Sequence, residues 1–357
     1  MSDGLKIEGL SPSKTKILVD SGYNSIDSIK KARFEDINII PGFGFTTTYK
    51  LWNLLGLNLH YKEMTEVNAA QFSEISIENK IIRPWKSSKT KSIMEFPPDY
   101  QEELTTVWSY PNRGSWASHQ SNYRGNWPPQ IVRNIICKYS DEGDVILDPM
   151  VGGGTTPVEA LLNNRNSISV DINPNSLLIT RDRLSLPADY CEKLDLMPTT
   201  HKTFEGDVRN LNLIEDESID LIATHPPYVN IIRYAPLVKG DLSQINNYEL
   251  FFKEFSKAIV ELYRVLKPGK KCAILIGDTH NKSHFVPIST KMMIEFLKAG
   301  FILKEDIIKK EWNCESDRFV AKYGDKDFLL TMHEHLFIFE KPNGKSLKNS
   351  SIDFLLS

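Results

Sequence analysis

One stretch constrains the fold more than any other: DVILDPMVGGGTTPVEALLNNRNSISVDINP, residues 144–174. A short apolar run, Asp144–Asp148, fits a buried strand. Gly152, Gly153 and Gly154 then make a tight turn, a helical segment follows, and Asn166–Asn173 fits a second strand. Two strands joined through a helix must lie parallel, so both faces of their sheet need covering.

The alternation continues. Strands are expected at 200–207, 218–225 and 271–278, and at 301–310 and 334–341. An amphipathic helix is expected over about 247–266, ending at Lys267-Pro268-Gly269, and another over 289–300, ending at Gly300. The pattern predicts an α/β doubly wound sheet with helices on both faces. Residues 1–60 read instead as a small all-α domain, with a tight turn at Pro41-Gly42-Phe43-Gly44. Residues 61–104 read as a linker and irregular segment, 105–341 as the α/β domain, and 342–357 as a polar tail. Lys80, Arg83, Lys86, Lys89 and Lys91 form a basic strip, read either as a solvated linker or as a phosphate contact.

A net charge of −3 over 357 residues advertises no polyanion partner, so nucleic-acid binding would need a local basic face. No apolar run approaches the length of a membrane span, and MSDGLKIEGL lacks the pattern of a secretory signal. Cys137, Cys191, Cys272 and Cys314 form no C-x-x-C pair, which fits a reduced, cytoplasmic setting without structural zinc. His333 and His335 resemble a metal pair but lack a third ligand at sensible spacing, so they read as structural.

The glycine turn lets a ligand approach the backbone and meet the free N–H groups of a helix start. Asp171, at the tip of the second strand, is placed to hold two ribose hydroxyls. Asp148, at the tip of the first, would repel a pyrophosphate and suit a cationic or zwitterionic ligand. This favours S-adenosylmethionine (AdoMet) over NAD, and no Gly-Lys-Ser/Thr follows to make a P-loop. Thr224-His225-Pro226-Pro227-Tyr228 ends another strand, since prolines cannot continue a ladder. Tyr228 could stack a flat heterocycle, while His225 and the Pro226 carbonyl could accept hydrogen bonds from an amino group.

DPMVGGGTT (148–156) and THPPY (224–228) resemble the two motifs of the N4-cytosine/N6-adenine DNA amino-methyltransferases, in order and over about residues 105–341. The resemblance implies a Rossmann-like methyltransferase sheet with AdoMet as cofactor. Its implied cofactor residues are Asp148, Pro149, Gly152, Gly153, Gly154, Thr155, Thr156, Asp171, Asp207 of GDVRNL, and Trp127 of the upstream helix segment. The implied catalytic residues are His225, Pro226, Pro227 and Tyr228. His225 departs from the family, where cytosine enzymes carry Ser and adenine enzymes Asp or Asn. The preceding Thr224 leans the expectation to cytosine N4, with adenine N6 as the alternative. No Pro-Cys dipeptide is present for C5 methylation. Segments 173–206 and 342–357 are too short for a separate recognition domain, leaving 229–248, 278–287, 311–328 and the N-terminal third.

The N-terminal unit resembles a helix-hairpin-helix domain, whose hairpin binds DNA phosphates. Gly42, Gly44 and Lys50 are its implied DNA contacts. DNA is the implied partner, and a cognate restriction endonuclease is implied by resemblance alone. An RNA amino-methyltransferase and a DNA-binding module without catalysis are the rival readings.

Overall fold

The computed structural model describes residues 5–32, 36–37, 40–57, 61–69, 71–77, 80–84, 100–229, 238, 240–281, 284–312 and 329–343. Lys86, Lys89 and Lys91 of the basic strip, most of 229–240, and 313–328 of the proposed recognition stretches lie outside these residues.

The strands are β1 (Thr65–Glu66), β2 (Ile75–Ile77), β3 (Lys80–Ile82), β4 (Val107–Ser109), β5 (Val145–Asp148), β6 (Asn166–Asp171), β7 (His201–Glu205) and β8 (Ile219–Thr224). They continue with β9 (Leu266–Gly277), β10 (Thr279–Asn281), β11 (His284–Val286), β12 (Ile302–Lys310) and β13 (His333–Glu340). Among the described residues the main sheet runs β1-β7-β6-β5-β8-β9-β13-β12-β4, while β2-β3 and β10-β11 pair separately. Strands β7, β6, β5, β8 and β9 are parallel, and β13 inserts antiparallel between β9 and β12. The α/β expectation holds: the parallel strands with helices on both faces form a doubly wound, Rossmann-like sheet. The chain order reverses between β5 and β8, and their tips open a crevice at that switch point.

Period-2 alternation sorts the core into two layers. Ile146, Leu221, Ala223, Ala273 and Leu275 face one side and pack on Ile131, Val132, Ile135 and Ile136 of the helix Pro129–Tyr139. Leu147, Ile222, Cys272, Ile274 and Ile276 face the other, onto Phe251, Phe255, Ile259 and Leu262 of the helix Tyr248–Val265. Strand β8 is buried at every position, which is why its sequence reads as a nearly unbroken apolar run. Part of the stretch 61–104 is built onto the sheet. Strand β1 extends its edge by pairing antiparallel with β7, and β4 closes the other edge beside β12.

In the N-terminal part, helices Pro12–Asp20, Ile26–Lys31 and Gly44–Leu54 surround Leu18, Ile29, Ile37, Phe43, Leu51 and Trp52. Ser11 caps the first helix, and Ser25 with Ser28 forms a capping box on the second. Gly42 turns the chain at φ +88°, a conformation that disfavours a side chain. Its carbonyl accepts from Lys14 Nζ, and the Phe43 N–H is donated inward to the Ile40 carbonyl at 2.9 Å. Lys50 is exposed on the third of these helices.

Candidate active site

A cleft of about 760 Å³ lies over the tips of β5, β6 and β8. It brings together Asp148, Pro149, Gly152, Asp171, Asp207, Trp127, His225 and Pro227 from separate segments of the sequence. Gly153, Gly154, Thr155 and Thr156 stand behind its wall. A Cβ on Gly153 would lie 2.5 Å from Asn126 and 2.7 Å from Arg183, and one on Gly154 would lie 2.8 Å from Thr180. These two glycines serve close packing of the loop on its neighbours. Gly152, at φ +52°, borders the cleft itself.

Asp148 is buried at the tip of β5. It accepts from the hydroxyls of Thr156 at 2.5 Å and Thr224 at 2.7 Å, so it ties the glycine loop to β8 across the switch point. Burial pushes its carboxyl up to about 6, against the lowering effect of those bonds. Asp171 accepts from the backbone N–H groups of Gly152 at 2.8 Å and Asn173 at 2.9 Å. Burial, with added repulsion from Asp241 and Asp148, pushes its carboxyl up to about 7.

Asp207 is clamped by Arg209, whose Nη2 lies 2.6 Å and Nε 2.9 Å from its two oxygens. The same guanidinium reaches Glu254 at 2.6 Å and the Gly240 carbonyl at 2.7 Å. The Tyr61 ring lies 4.3 Å beneath it, and the Tyr61 hydroxyl donates to Glu254 at 2.9 Å. Arg209 lies within GDVRNL, but Tyr61, Glu254 and Asp241 carry no motif signal; tertiary packing brings them to one wall.

At the tip of β8, His225 Nε2 lies 2.7 Å from the Tyr228 hydroxyl, which also donates to Glu334 of β13. Glu334 is held in turn by the buried Lys309 at 2.8 Å, which also bonds Glu311. Burial lowers the imidazole of His225 against the raising pull of Glu334, with the Lys309 charge acting alongside burial, so the neutral form is favoured. The Trp127 ring covers it at 6.1 Å between centroids. Pro226 is buried and Tyr228 half-buried. Glu334 and Lys309 escape sequence reasoning because they enter from strands far along the chain. His335 pairs with Asp306 at 2.9 Å.

Among the described residues the cleft wall holds four aspartates, Asp148, Asp171, Asp207 and Asp241, and no lysine or arginine. Such a wall suits a ligand carrying a positive centre and hydroxyl donors, and opposes a pyrophosphate. An α/β sheet with this cleft at its switch point, beside a Pro-Pro-Tyr strand tip, has the layout of a nucleotide- or nucleoside-cofactor site.

Comparison with known proteins agrees. A family model described as DNA methylase, of the N6/N4 type, matches residues 29–182 and 219–353. The chain belongs to that family, the N4-cytosine/N6-adenine methyltransferases, and with the family comes its cofactor, S-adenosyl-L-methionine. It is 29% identical over 177 residues to the type II methyltransferase M.MjaI of Methanocaldococcus jannaschii, covering 42% of this chain and 58% of that one. It is 25% identical over 126 residues to the DNA adenine methyltransferase YhdJ of Escherichia coli, covering 35% and 42%. A solved DNA modification methylase of Thermus thermophilus shares 23% identity over 39% of this chain and 50% of that one, with a TM-score of 0.28. The chain thus spans about half the length of these relatives. Among the described residues no helix is long and apolar enough to cross a membrane.

Proposed function

We propose that the protein is an AdoMet-dependent DNA methyltransferase acting on an exocyclic amino group, cytosine N4 ahead of adenine N6. The observation that carries this reading is the convergence of Gly152, Asp148 and Asp171 with His225 and Pro227 on one acidic cleft, with the Tyr228 hydroxyl 2.7 Å from His225. Bound AdoMet supplies an electrophilic methyl group on a sulfonium.

The chain's residues do the rest. Asp171 holds the ribose hydroxyls, the Arg209-clamped Asp207 borders the adenine, and Asp148 keeps the glycine loop against β8. Trp127 and Tyr123 exclude water from the methionine side. Tyr228 stacks the flipped base, and the Pro226 carbonyl with His225 orients its amine. A neutral His225 suits this role, since an imidazolium would repel the sulfonium. The amine needs no covalent activation, only orientation and loss of a proton after attack. The Gly42–Gly44 hairpin and Lys50 act as phosphate contacts in the same reading. A cognate restriction endonuclease belongs to it too, supported by relatives named type II methyltransferases.

The test supplies labelled AdoMet with unmethylated genomic DNA and, separately, total RNA, and identifies modified nucleosides by mass spectrometry. N4-methylcytosine in DNA is the expected product. N6-methyladenine would overturn the choice of base, label confined to RNA would overturn the substrate, and AdoMet binding without transfer to either would overturn the activity.

A further inference from the structure

A second cavity opens beside the cleft and has the opposite electrical character. Arg113, Ser115, His119, Gln120, Ser121 and Asn122 line it; among the described residues it has no carboxylate or apolar side chain in its lining and shares none with the cleft. Arg113 donates to the carbonyls of Gly114 at 3.2 Å and Trp127 at 3.1 Å. Arg183, 2% exposed, stands behind the cavity and donates to Asn122 Oδ1 at 2.6 Å and to the Gly153 carbonyl.

Neither guanidinium has a carboxylate within ion-pair distance among the described residues. Glu159, the acid that acts on Arg113, makes its direct contacts with Trp116 and His119 at 2.7 Å each, Asn163 at 3.2 Å and Arg133 at 3.6 Å. Burial pulls both guanidinium groups down to about 10, and the Arg113 charge adds to the effect on Arg183, yet both stay cationic at neutral pH. Glu159 attracts Arg113 and Asp182 attracts Arg183 through space, but neither makes contact, so an anion in the cavity would give these desolvated cations a direct partner. The surrounding hydroxyl and amide side chains are those that meet nucleic-acid phosphates, and Arg presents a fork that matches phosphate oxygens.

We propose that this cavity seats a backbone phosphate of the strand carrying the target base. The inference rests on the DNA-methylating reading above. Trp127 joins the two sites: its carbonyl holds Arg113 and its ring lines the cleft, so a phosphate seated here positions the strand beside Tyr228.

Two variants of the full chain test the proposal. Arg113→Gln removes a cation. Ser121→Glu places a carboxylate at the mouth from an exposed loop residue and leaves the Arg113 contacts intact. Affinity for a fluorescent duplex is followed by anisotropy across a salt series, and AdoMet affinity by calorimetry. Both variants should weaken duplex binding about tenfold and flatten the salt dependence by about one phosphate contact, with AdoMet affinity unchanged. Unchanged duplex affinity and slope in both variants would overturn the proposal alone. An equal fall in AdoMet affinity would also overturn it, assigning the cavity to the cofactor's carboxylate. A wild-type protein that binds no duplex would overturn the DNA reading and this proposal together.

Discussion

His225 Nε2 lies 2.7 Å from the hydroxyl of Tyr228, three residues further along, and that hydroxyl is shared with Glu334. The ring proposed to stack the target base is thereby locked from both ends of its hydroxyl. Tyr228→Phe keeps the ring and loses the lock. Its turnover should fall about tenfold or more, since the bonds to both His225 and Glu334 are lost, with AdoMet affinity held. Tyr228→Ala should lose far more turnover. Steady-state kinetics with calorimetry separates the two, and an equal loss of cofactor affinity would refute the stacking role.

Gly277 backs the same ring. A Cβ there would lie 3.2 Å from Tyr228 Cε2 and 3.4 Å from Glu334 Cγ. Gly277→Ala should therefore shift the tyrosine and lower turnover while AdoMet binds normally. The overpacking should cost about 1–3 kcal/mol of stability, read by urea unfolding.

Arg209 joins two buried acids, Asp207 and Glu254. Arg209→Met leaves both without their guanidinium and should destabilise the protein by about 3–5 kcal/mol. Tyr61→Phe removes the hydroxyl's bond to Glu254 and the one it accepts from Lys257, and should cost about 1–2 kcal/mol. Both variants should also weaken AdoMet binding, because Asp207 borders the cleft.

Asp171 predicts a pH dependence. Its carboxyl is raised to about 7 by burial, so the free protein favours the protonated form. That contribution to stability is fully present below the ordinary carboxylate range and is lost as pH rises through about 7. Ribose hydroxyls donate to the ionised form. AdoMet affinity should accordingly rise with pH until about 7 and then level off, with a proton released on binding below that. Calorimetry in buffers of differing ionisation heat counts the proton. A flat profile across this range would remove Asp171 from the ribose site.

Much of the frame was legible in the sequence. The β5-loop-helix-β6 unit and the arrest of β8 at Pro226 follow from apolar periodicity, glycine and proline, which act over a few residues. Asp148 and Asp171 were legible as strand-tip acids for the same reason. The role of Gly153 and Gly154 was not, because their need for a bare Cα comes from Asn126, Arg183 and Thr180 packed against them.

The sequence alone determined the local elements, the order in which they occur and the residues at their tips, because backbone preference and side-chain period are short-range properties. Tertiary structure alone decided which tips share a cleft and which charges meet. Glu334 reaches Tyr228 because β13 inserts antiparallel beside β9. Arg209 bridges to Glu254 because the helix Tyr248–Val265 packs across that face of the sheet. Arg113 comes to lie beside a polar cavity through the packing of its loop on the segment that bears Trp127. Such meetings depend on sheet order and layer packing, which place residues far apart in the chain within a few ångströms of each other.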